Sequence, residues 1–159
     1  MLSALLSAFL LAAIPKSCDG VLGNQSLDFI KSDIAPETPE LEEKLLWILQ
    51  LYRASHEASQ SWDKDDPNRD FENRRLLKID ECQKELWPSV YTEGGIKYLT
   101  ETLRVQRDQN NMLAILEVLS ASQQPSTLKV FQEFSTHQNK VVARVAKSYL
   151  KRAEKRAKP

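Results

Sequence analysis

Between residues 39 and 153 the apolar side chains recur at the period of an α-helix almost without interruption, and this constrains the fold more than any other feature. Leu41, Leu45, Ile48, Leu49 and Tyr52 form one stripe, widened by Leu46, Trp47 and Leu51. Leu76, Ile79, Cys82 or Gln83, and Leu86 form a second. Such spacing keeps apolar groups on one face of a 3.6-residue helix and would scatter them on a strand. Only four glycines occur, too few for a turn-dense β architecture. The expected fold is all-α.

Helix boundaries follow from local chemistry. Thr38-Pro39-Glu40 offers a capping hydroxyl, a proline at the first helical position and an acid in the first turn. A helix is expected from about 39 to 61, and a second ends near 87, before Pro88. Residues 89–95, ending in Glu93-Gly94-Gly95, read as a loop between two halves of one domain. Shorter helices are expected over 96–105, 111–122, 126–137 and 140–155. Leu45, Leu49, Leu113, Leu116, Val142 and Val145 are the expected core positions.

The second half matches itself at an offset of 29 residues. Gln109-Asn110 recurs as Gln138-Asn139, Leu99 as Leu128, Leu113 as Val142 and Leu116 as Val145, while Leu103 against Gln132 and Leu119 against Ser148 break the pattern. Each unit is a helix, a polar turn and a second helix, which cannot bury its apolar face alone and must stack. The stretches YLTETLRVQRDQNNMLAILEVL and TLKVFQEFSTHQNKVVARVAKSYL resemble the HEAT/armadillo-like helical-repeat class, with Val142-Ala143-Arg144-Val145-Ala146 opening a second helix. The resemblance covers residues 95–153. It implies stacked antiparallel helical hairpins, with the hairpin of residues 39–87 as a third layer or cap. A compact helical bundle is the alternative.

Residues 1–14 are uncharged and almost wholly apolar, and Pro15 and Lys16 follow. Fourteen residues fall short of the roughly 20 that a spanning helix needs. The run fits a signal peptide over residues 1–20, cut after Gly20 so that the mature chain begins near Val21. An apolar first helix and lipidation at Cys18 are the alternatives. After such a cut Cys82 is the sole cysteine and is expected to be a small buried hydrophobe. Residues 21–38 read as an irregular lead-in, 39–155 as a single all-α domain and 156–159 as a basic tail. Asn24-Gln25-Ser26 fits a glycosylation acceptor.

Motifs for familiar chemistry fail at the positions that matter. The acidic turn beginning at Asp63 has Pro67, Asn68 and Arg74 where a calcium loop needs a ligand, a glycine and a bidentate glutamate. His56-Glu57 is followed by Gln60 where a zinc-protease helix needs its second histidine. The glycines at 20, 23, 94 and 95 build no phosphate loop. The expectation is a non-enzyme without cofactor or metal. Twenty-two basic and 22 acidic residues cancel, which argues against a dedicated nucleic-acid binder.

The charge is nevertheless uneven. Residues 140–159 hold eight cations and one acid, Glu154. Lys147, Lys151, Arg152, Lys155 and Arg156 are therefore candidate contacts for an anionic surface, whether lipid, nucleic acid or acidic protein. The leading expectation is an exported protein-interaction module that holds a protein partner on a helical surface. A small helical enzyme with an unrecognised carboxylate site is the third reading.

Overall fold

A computed structural model of the chain describes residues 14–21, 33, 36, 38–60 and 69–157. Among these are six α-helices and no strand: α1 (Pro39–Gln60), α2 (Arg69–Val90), α3 (Glu93–Val105), α4 (Gln109–Ser122), α5 (Thr127–Phe134) and α6 (Lys140–Ala157). A 3₁₀ turn, Lys16–Cys18, precedes them. The chain is all-α. Its helices fall into two compact units that divide between Val90 and Tyr91. Residues 1–13, the acceptor Asn24 and the acidic turn at 61–68 lie outside the described residues.

In the first unit α1 packs against α2. The Thr38 hydroxyl accepts the Leu41 amide at 3.1 Å, the cap its position implies. Leu41, Leu45, Ile48, Leu49, Leu51 and Ala54 of α1 are buried, as are Ile79, Cys82, Leu86 and Val90 of α2. The second helix does not stop at Pro88 but runs on to Val90. In the last turn a proline removes one hydrogen bond, the one to the Lys84 carbonyl, and burial of Leu86 and Val90 holds the turn around it.

Cys82 is buried as expected, but it is not free. It is bonded to Cys18, with Cα atoms 4.9 Å apart and a sequence separation of 64. Cys18 and Val21 are themselves buried, and the 3₁₀ turn packs on α2. A cut after Gly20 would discard Cys18 and leave Cys82 unpaired, so bridge and cut exclude each other in one mature chain. The bridge requires that any cut fall upstream of Cys18.

In the second unit α3 packs on α4, α5 on α6, and α4 also on α6. Gly94 and Gly95 belong to the first turn of α3, where a loop was expected. The Thr92 hydroxyl accepts the Gly95 amide at 3.1 Å, and this cap offsets the poor helix propensity of glycine. Asp108 caps α4 by accepting the Asn111 amide, and Asn139 caps α6 by accepting those of Val141 and Val142. Helix α5 ends at Phe134, three residues before the expected 137. There the hydroxyls of Ser135 and Thr136 donate back to the Gln132 and Glu133 carbonyls and compete with further helix.

The burial pattern splits the 29-residue sequence match into two registers. Leu99, Thr102, Leu103 and Gln106 are buried, and so are Thr127, Val130, Phe131 and Phe134, each 28 residues further on. In the second helices Met112, Ile115, Leu116 and Leu119 correspond to Val142, Val145, Ala146 and Tyr149, 30 residues on. The α3–α4 turn has three residues (106–108) and the α5–α6 turn five (135–139), which accounts for the change. A single offset of 29 lies between the two registers, so it set Leu103 against Gln132 instead of Phe131. Two expected core positions are corrected with it: Leu113 and Val145 are only half-buried. Leu113 faces away from the arc through which α4 packs, and Val145 flanks the Val142–Ala146 line.

Leu49→Ala and Leu116→Ala should each cost about 2–5 kcal/mol in chemical denaturation, because both side chains are essentially inaccessible. A loss under about 0.5 kcal/mol at both would contradict these helical phases. Opening the bridge with Cys82→Ala should cost up to about 4 kcal/mol, the chain-entropy value for a loop of this length. Equal stability of the oxidised and reduced chains would show that the bridge does not hold the Cys18 segment to α2.

Candidate functional site

The cationic side chains of α6 take two different environments. At 100° per residue, Lys140, Arg144, Lys147, Lys151 and Lys155 fall within about 80° of the helix circumference, opposite Val142 and Ala146. They form one exposed row about 22 Å long, at 1.5 Å per residue. Among the described residues no carboxylate lies within ion-pairing distance of any of the five. Arg152 and Arg156 leave this row. The Arg152 guanidinium lies 5.8 Å from the centre of the Tyr149 ring, and Arg156 Nε donates to the Arg152 carbonyl at 3.4 Å.

Of the five candidates from sequence, then, Lys147, Lys151 and Lys155 share a face while Arg152 and Arg156 do not. Lys140 and Arg144 complete the row. Their spacing of four and three residues to Lys147 was the available signal, hidden by the density of charge further along.

Two concavities flank α6. One, of about 290 Å³, has Phe131, Leu128 and Ala153 as apolar lining and Gln123, Gln124 and Arg156 among its polar groups. The other is an open cleft of about 470 Å³ lined by Ser135, Thr136, His137, Lys140, Ala143, Arg144 and Lys147. Its imidazole is fixed on two sides. His137 stacks on Phe134 with centroids 5.6 Å apart, and Nδ1 accepts the Asn139 amide at 3.1 Å. A neutral ring so held carries its proton on Nε2.

An ion pair joins the two hairpins beside this region. Arg104 of α3 donates through Nε and Nη2 to the two oxygens of Glu133 on α5, at 3.0 and 2.7 Å, and through Nη1 to Glu101 at 2.5 Å. The hydrogen bond from Arg104 holds the Glu133 carboxyl below its ordinary range, against an opposing effect of burial. The same bond raises Arg104. On the neighbouring turn, Asn139 Nδ2 donates to Gln109 Oε1 at 3.0 Å, tying the starts of α4 and α6.

Elsewhere, burial holds the Glu43 carboxyl of α1 above its ordinary range, with Glu40 adding repulsion and Lys44 opposing. Among the described residues no group of three or more His, Cys, Asp or Glu could hold a metal ion, and no helix is long and apolar enough to cross a membrane. The side chains of 56–60, which include His56 and Gln60, lie outside the described residues. No protein-family model, curated protein or solved structure matches the chain.

Glu133→Gln should cost about 0.5–1 kcal/mol at neutral pH, the range for a bidentate pair whose ends remain 42 % and 45 % exposed and so are screened by solvent. Because the folded pKa of Glu133 is lowered, its contribution is present above the unfolded carboxylate pKa of about 4.3 and is lost as pH falls through the folded value. Denaturation of parent and variant should therefore converge in acid. A stability gap that persists at the lowest pH would contradict the assignment to this ion pair.

Proposed function

We propose that the chain is a non-enzymatic protein-interaction module that holds a partner on the helical surface of its second unit. The supporting observation is the burial over α3–α6, in which four positions of the first helices are buried in both hairpins 28 residues apart, and Met112 and Leu116 of the second match buried Val142 and Ala146 30 residues on. Two hairpins joined through α4 and α6 resemble HEAT-like repeats, which bind along an extended helical surface. The link from architecture to binding is one of analogy. The Cys18–Cys82 bridge supports an oxidising compartment and hence export, because thiols are kept reduced in most cytosols.

A second reading has its own observation. The five cations in one row on α6, without described acid partners, favour contact with an anionic surface. A solvated end helix also needs a polar outer face, and that need accounts for the row without any ligand.

The two readings separate in one experiment. A photo-crosslinking residue at Lys129 of α5, exposed in the second unit, should yield a discrete adduct in the native compartment, and the same residue at Leu77 of α2 should not. The Lys129 adduct should persist when Lys151, Arg152, Lys155 and Arg156 are all changed to glutamine. Its loss with unchanged helicity would promote the anionic-surface reading. Absence of an adduct from Lys129 and from further exposed positions on α3 and α5 would overturn the partner-holding reading.

A further inference from the structure

We propose that the cleft between the α5–α6 turn and the outer face of α6 binds a phosphate monoester through His137, Lys140, Arg144 and Lys147. This rests on the anionic-surface reading and narrows it to one place and one ligand chemistry.

Three cations and one imidazole line the cleft, and no carboxylate does. Lys140, Arg144 and Lys147 stand at i, i+4 and i+7 on one face, and all three line the cleft. Fixing His137 through Nδ1 leaves Nε2 as a further donor on a ring held by Phe134. Glu133, the acid of α5 just before the turn, is engaged by Arg104 through both oxygens. Ser135 and Thr136 donate their hydroxyl protons to backbone carbonyls.

The site depends on side chains and not on the start of the helix, because Asn139 already occupies the amides of Val141 and Val142. Three cations from the helix and one imidazole from the preceding turn can serve the three free oxygens of a phosphate dianion, more acceptors than the two of a carboxylate. The cleft, about 470 Å³, is larger than one phosphate and leaves room for the body that an ester carries. That body is a soluble molecule or a lipid whose headgroup is the phosphate.

Inorganic pyrophosphate titrated into the full chain at low salt is the first probe, read by backbone amide and His137 ring shifts. Shifts should concentrate in residues 135–147. Lys140→Gln and Arg144→Gln should each weaken binding by about tenfold, and the double variant K151Q/K155Q, which removes more charge outside the cleft, by less than about threefold. All these side chains are exposed, and unchanged helicity by circular dichroism confirms that the variants fold.

Phosphatidylcholine vesicles containing phosphatidic acid, compared with phosphatidylserine at equal charge, distinguish the sources. Preference for phosphatidic acid, competed by pyrophosphate, identifies a headgroup, and pyrophosphate binding without vesicle binding identifies a soluble ester. Equal losses in K140Q, R144Q and K151Q/K155Q would overturn the cleft while leaving the broader anionic-surface reading intact. No response to either pyrophosphate or phosphatidic acid would overturn the cleft as a phosphate site.

Discussion

Helix α4 cannot leave its apolar surface in water, and the second unit is arranged around that constraint. Its buried residues Met112, Ala114, Ile115, Leu116, Val118 and Leu119 span about 200° of the helix circumference, twice what a single covering face requires. One neighbour cannot cover such an arc. Helix α3 and helix α6 both pack on it, and α5 reaches it as the partner of α6. Polar contacts then set the details: Arg104 joins α3 to α5, and Gln109 joins the start of α4 to the cap of α6. These bonds are worth little beside the burial of α4, but they select one register among the several that apolar packing alone would tolerate.

The same packing decides what α6 can present. Val142 and Ala146 turn inward, so the row from Lys140 to Lys155 must turn outward. Lysine and arginine at these positions keep the last helix soluble whether or not anything binds there. The feature that a solubility role does not call for is the cleft at the start of α6, where a fixed imidazole and three cations share one concavity. In the first unit the covalent constraint is different: the Cys18–Cys82 bridge holds residues just after the apolar run against α2.

Most of the helical architecture was legible because apolar periodicity and caps agree. Thr38 acts as its position implies, while the Asp108 and Asn139 caps emerge only from the structure. The departures have local causes. Pro88 and the Gly94-Gly95 pair are strong breakers by propensity, yet tertiary burial and the Thr92 cap override them. The left-handed turn at Gln123, with φ 54°, carries no glycine to announce it. The self-match of the second half was visible but blurred, since two burial registers two residues apart average to one weak offset. The bridge was hidden by the assumption that Cys18 is removed. The cleft was hidden because His137 and Lys140 belong to a turn and a helix whose shared concavity exists only after α5 ends early.

Native-state hydrogen exchange of the amides of α4 and α6 tests the stacked arrangement of the second unit most directly. If α4 and α6 pack as one body, amides around Ile115–Leu119 and those around Ala146 should exchange through a common opening of high free energy, and amides beyond residue 151 should fray. Exchange of the whole of α6 at the rate of an isolated helix, with α4 still protected, would contradict that packing and remove the footing for the cleft.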